Sequence, residues 1–178
     1  SAASDVYKRQ TLECPHNKKW TEVLPQKYTH RIAKSSDAPD AVKVYRSILC
    51  TQPDNSVTIC TIGAFSNLKE LLQSKGDEFS PETGVELVRR KVKQLVSMAG
   101  VFPEGREYNI YCDASSSSFV VSHWPTDIIF CGFEIGYNII TGRRVSRMPV
   151  ENHPIKDVFL LCMLQGEPCL LYTSDAAD

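Results

Sequence analysis

Two polar side chains near the middle of the chain are spaced to act together. Glu107 and Asn109 stand two residues apart in Glu107-Tyr108-Asn109-Ile110-Tyr111, a segment that reads as extended. In an extended segment alternate residues share a side. A carboxylate accepts two hydroxyl hydrogen bonds, and a carboxamide both donates and accepts. The pair is a clamp for a vicinal diol such as that of a ribose. A site that satisfies sugar hydroxyls rejects analogues lacking them. The plainer alternative is an exposed loop with a solvated Glu107 and an Asx-type turn at Asn109.

Three other stretches sit where a strand passes to a helix. In Thr61-Ile62-Gly63-Ala64-Phe65-Ser66-Asn67, Gly63 permits the turn and Ser66 or Asn67 caps the helix. A strand-end carbonyl there also offers an oxygen to a hard cation. The stretch is neither a GxGxxG fingerprint nor a P-loop. Met98-Ala99-Gly100 opens a tight loop running to Gly105. In Cys131-Gly132-Phe133-Glu134, Glu134 suits the dipole of a first helical turn, with a catalytic role as the alternative. Asp113 reads as a cap, and Cys131 has no partner base. His16, His30, His123 and His153 form no ligand spacing. The seven cysteines contain no CxxC and read as buried free thiols of a reducing compartment.

The elements that must position these groups follow from periodicity. Residues 11–39 are polar and irregular, and residues 40–51 carry a helical stripe at Val42, Val44, Tyr45, Ile48 and Leu49. Residues 57–62 read as a buried strand, followed by a helix with Leu68, Leu71 and Leu72 on one side. Ser80-Pro81 starts the next helix, which Val85, Leu87, Val88 and Val92 continue. Strands at 94–98 and 127–131 follow, with a helix at 114–123 between them. Phe133 to Gly142 reads as a helix closed by Gly142, and residues 155–164 as a last helix. Short apolar strands alternating with helices argue for an α/β fold: a doubly wound, mostly parallel sheet with helices on both faces. Ligands of such sheets lie beyond the carboxyl ends of the strands.

Composition narrows the function classes. The chain has 178 residues, 42% hydrophobic and 23% charged, with a formal charge of -1. That balance offers no broad field for nucleic acid or anionic lipid. No apolar run is long enough to cross a bilayer. Arg89, Arg90, Lys91 and Lys93 read as a solvated helix face. Residues 1–10 and 169–178 lack periodicity and read as non-native or disordered ends around a domain at 11–168. A cytoplasmic location is favoured over export.

Four blocks carry a family resemblance: VTICTIGAFSNLKELL, VKQLVSMAG, EYNIYCDASSSSFVV and DIIFCGFEIGYNIITG. In this order and spacing, over about residues 40–145, they resemble the calcium-dependent nucleoside hydrolases, the inosine–uridine-preferring N-ribohydrolases. The resemblance implies a doubly wound α/β fold and hydrolysis of the N-glycosidic bond of a nucleoside, in purine and pyrimidine salvage. It implies calcium as cofactor, holding the ribose diol and the attacking water, and a small-molecule nucleoside as partner, with homo-oligomers open. By the same resemblance Glu107 and Asn109 hold ribose hydroxyls and Met98 lines the sugar pocket. Ile62 gives a backbone carbonyl to calcium, and Gly63, Asn67 and Gly100 shape the loops beneath.

The chain departs from the family pattern in places. Ala99-Gly100 replaces a glycine pair, and a further ribose-binding asparagine has no match among Glu104, Gly105 and Arg106. The aspartate-rich calcium motif is absent, and Asp157 does not sit in the context of the family's late aspartate ligand. The expectation is an incomplete nucleoside hydrolase that does not cleave nucleosides alone. The rivals are a catalytically silent ribose-binding relative and a plain structural α/β domain.

Overall fold

The computed structural model describes residues 20–139 and 142–164. The readings on residues 1–10 and 169–178, on Cys14 and Cys169, and on His16 lie outside them. The first helix is α1 (Trp20–Lys27). Residues 20–27 were expected to be irregular; they are helical because α1 docks on a distant helix, α9 (Pro154–Leu164). Asp157 of α9 accepts from Lys27 Nζ at 2.6 Å and Tyr28 Oη at 2.7 Å. A tertiary anchor of this kind leaves no periodic trace in the local sequence.

Helix α2 (Ala41–Thr51) starts at Asp40, whose side chain accepts from the Lys43 N–H. Strand β1 (Val57–Thr61) leads to α3 (Ser66–Gln73). Ser66 and Asn67 are the first residues of α3 rather than its cap; Phe65 takes the cap position without a side-chain hydrogen bond. Helix α4 (Gly84–Lys91) starts later than Ser80-Pro81, at a reciprocal capping box between Thr83 and Glu86. Ser80 is held instead in a turn by Asp77, which accepts from the Phe79 and Ser80 N–H groups. Strand β2 (Val92–Met98) begins at Val92, so Val92 belongs to the sheet and not to the preceding helix.

Helices α5 (Tyr108–Cys112) and α6 (Ala114–His123) connect β2 to β3 (Asp127–Cys131). Asp113 caps α6 through the Ser116 N–H, as its type suggests. Helix α7 is shorter than expected (Phe133–Tyr137), with glycine inside it at Gly136. Gly142 does not close it; with φ of 93° Gly142 precedes the short α8 (Arg143–Ser146).

The three strands pair in parallel in the order β1-β2-β3. Ile59, Leu95 and Ile128 share one row of the sheet, and Cys60, Val96 and Ile129 the next. The first row joins a single core with Leu49, Leu68, Leu71, Leu72, Leu87, Val88 and Val120. The second row is more open, with Ile129 47% exposed and Cys60 exposed. Strands stepping one way in sequence order put successive crossovers on one side, because crossover hand is nearly invariant. The sheet is thus a parallel α/β sheet flanked by helices, with the first row in the core and the second more open among the described residues.

Buried polar contacts brace this layer. Arg46 is 1% exposed and donates to Asp77, to Ser74 Oγ and to the carbonyls of Ser80 and Glu82. It ties α2 to the whole 74–82 connection. Lys91 was expected on a solvated face but is buried, donating to the Gln52 carbonyl. Arg90 does reach solvent, between Glu82 and Asp54. Cys50, Cys60, Cys112 and Cys131 are free thiols, but none is fully buried: Cys60 is exposed on its strand, and Cys50, Cys112 and Cys131 are half-buried, Cys50 against the core.

Candidate functional site

Strand β2 is central, and its carboxyl end carries the loop that the sequence singles out. Met98, the last strand residue, is buried, and Ala99 extends the pairing with an N–H to the Cys131 carbonyl at 3.2 Å. Gly100 has φ of 82°, a left-handed conformation that favours glycine. Glycine is therefore a conformational requirement at this turn. Gly63 is different: nothing lies within 4 Å of a Cβ built on it, and its φ is not left-handed. The turn after β1 does not need glycine for its conformation, and the space above it is open.

Glu107 and Asn109 do share a side, but not for the reason their spacing suggests. The segment is the start of α5 and not extended. Glu107 is the residue before its first turn, only 6% exposed. Its Oε1 accepts from the Asn109 N–H at 2.8 Å, and its Oε2 from the Ile110 N–H at 3.1 Å and the Gly100 N–H at 3.2 Å. Asn109 Nδ2 donates to the Met98 carbonyl at 3.1 Å and lies 3.3 Å from Met98 Sδ. The carbonyl can only accept, which orients the amide. Met98, Gly100, Glu107 and Asn109 are thus one cluster at the tip of β2. Alternating hydrophobicity hides this, because a capping acid before a one-turn helix resembles a polar strand residue.

The chemistry left over is specific. A carboxylate has about four lone-pair positions, and Glu107 uses three on backbone N–H groups. One remains, together with Asn109 Oδ1, which makes no hydrogen bond among the described residues. Two acceptors at one strand tip suit two hydroxyl donors.

The other named residues do not enter this cluster's hydrogen bonds. Ile62 follows β1 directly, and its side chain is 69% exposed. Asn67 is half-buried in the first turn of α3. Thr61 and Ser97, paired across β1 and β2, join their hydroxyls just below the strand ends. Tyr108 and Tyr111 are more than half exposed on α5, with the Arg106 guanidinium over the Tyr111 ring. A groove of about 380 Å³ lies elsewhere, between α2 and the outer edge of β1, and Met98, Glu107 and Asn109 do not line it.

Calcium takes six to eight oxygen ligands. Glu107 is committed to backbone donors, and no three His, Cys, Asp or Glu side chains gather to hold a metal among the described residues. These residues do not fit the ion by themselves. Asp157 is occupied by Lys27 and Tyr28, whose hydrogen bonds hold its carboxyl below the usual aspartate range.

Among the described residues no helix is long and apolar enough to cross a membrane. No family model, curated protein or solved structure matches the chain.

Proposed function

We propose that this chain carries the sugar-gripping part of a nucleoside N-ribohydrolase and binds the ribosyl group of a nucleoside at the tip of β2. One observation supports the reading above the rest: Glu107 and Asn109 converge on Met98 and Gly100 and retain two acceptors there. Asn109 Oδ1 accepts one ribose hydroxyl, the remaining Glu107 lone pair accepts the other, and Met98 walls the sugar. Hydrolysis in this reading needs a calcium ion held by carboxylates from outside the described residues. In this reading the chain alone binds and does not cleave.

A second reading, a ribose-binding relative with no hydrolytic role, is favoured by the misfit of the described residues to calcium. The test is a titration of the purified chain with ribose and with inosine, with calcium and with chelator, alongside an assay for released base. Saturable ribose binding that Asn109→Ala abolishes is the expected result. Binding that chelator leaves unchanged favours the second reading. Absence of ribose binding by the unaltered chain leaves only a structural α/β domain. Calcium-dependent release of base by this chain would overturn its assignment as inactive alone.

A further inference from the structure

Gly132 stands between β3 and α7 with φ of -68° and ψ of 159°, a backbone open to any residue. What a side chain there would meet is the far end of one side chain, Glu134. A Cβ built there would lie 2.3 Å from Glu134 Oε1 and 2.6 Å from Oε2. The Glu134 carboxylate folds back over Gly132, and its Oε2 accepts from the Phe102 N–H at 3.3 Å. The neighbouring Phe133 N–H donates to the Gly100 carbonyl at 2.9 Å. From the opposite side Glu107 Oε2 takes the Gly100 N–H. Two carboxylates from separate segments therefore hold one turn, Gly100 to Phe102, at the tip of β2.

We infer that Glu134 is a positioning residue for the sugar site. Its carboxylate fixes the Gly100–Phe102 turn, and the Gly100 N–H in turn fixes the Glu107 carboxylate. Glu134 itself does not touch the sugar. A role confined to its own helix does not account for the geometry: the turn that α7 starts from has no side-chain cap bond, and the Glu134 carboxylate reaches 32 residues back instead. The functional half of this inference rests on the ribose reading.

The experiment compares the unaltered chain with Glu134→Ala, Glu134→Gln and Gly132→Ala. Glutamine keeps an acceptor oxygen, alanine removes it, and Gly132→Ala displaces the carboxylate while leaving it in the chain. Amide hydrogen exchange at Phe102 and ribose affinity are measured on all four, with a melting curve to establish that each is folded. Exchange at Phe102 is expected to rise about tenfold in Glu134→Ala and Gly132→Ala, and not in Glu134→Gln. Ribose affinity is expected to fall about tenfold in the same two variants and to be restored by glutamine. Unchanged exchange in Glu134→Ala, with ribose bound normally, would overturn the brace alone. Faster exchange with unchanged affinity would reduce Glu134 to a structural role. Loss of ribose binding in the unaltered chain would overturn the ribose reading and the positioning role with it.

Discussion

The Asn109 carboxamide donates to the Met98 carbonyl oxygen at 3.1 Å, tying the first turn of α5 to the last residue of β2. The bond uses Nδ2 and leaves Asn109 Oδ1 with its acceptor capacity intact among the described residues. Asn109→Ala removes both the tie and the acceptor. Loss of the hydrogen bond costs about 1 kcal/mol of stability, read as a lower denaturant midpoint. Ribose affinity falls at least about tenfold, the equivalent of 1.4 kcal/mol. Unaltered affinity in a folded variant would remove Asn109 from the site.

Glu107 has a structural duty separable from any ligand. Glu107→Gln replaces an oxygen by an NH₂ group and sets it against backbone donors, so at least one buried N–H loses its partner. The expected cost is about 2 kcal/mol, seen in urea unfolding without any ligand. An exposed, solvated glutamate would tolerate the same change within about 0.5 kcal/mol.

Two glycines separate packing from conformation. Gly84 opens α4 directly against α3, and an added Cβ would stand 1.6 Å from the Leu71 carbonyl oxygen. Gly84→Ala forces these helices apart, at a cost of about 3 kcal/mol or more. Gly63→Ala meets open space and should leave stability within about 0.5 kcal/mol. Equal melting temperatures for the two variants would contradict the packing described for α3 and α4.

Acid should loosen the brace around Arg46. The Arg46 guanidinium, 2.7 Å from the Asp77 carboxylate, holds that carboxyl below its ordinary 3.8, aided by the Ser80 and Phe79 N–H groups. A depressed carboxyl contributes stability that is present above pH 3.8 and fades as pH falls through and below it. The unaltered chain should exceed Asp77→Asn in stability at pH 7. The gap should close in the acid range, because both side chains are then neutral. A gap independent of pH would show that Asp77 acts through packing alone.

The outer edge of β1 carries Val57-Thr58-Ile59-Cys60-Thr61 without a charge, and among the described residues β1 is an edge strand. Uncharged edges template pairing with other chains. Concentration-dependent light scattering is expected from the purified chain, reduced several-fold by Thr58→Lys, whose ammonium would sit on that edge. Scattering unchanged by the substitution would place the association elsewhere.

Much of the frame was legible before folding. The stripe at Val42, Tyr45 and Leu49, the β-branched run at 57–61 and the apolar runs at 94–98 and 127–131 each declare their element, because the solvent side of an element selects its own period. The cap at Asp113 is read in the same way, from one residue type before one helix. Local chemistry also paired Glu107 with Asn109, but as alternate residues of an extended segment, where the structure has the start of α5.

What local pattern could not decide was set by contacts between distant segments. Helix α1 is held by Asp157, at the other end of the described chain. Lys91 turns inward because the Gln52 carbonyl waits for it. Glu107 is buried rather than solvated because Gly100, Asn109 and Ile110 together present three N–H groups to it, and the Glu134 carboxylate turns from its own helix to the Phe102 N–H, 32 residues back. Residue types and short spacings determined the strands, helices and candidate acceptors; which acceptors remain for a ligand depends on the donors that long-range packing brings up to them.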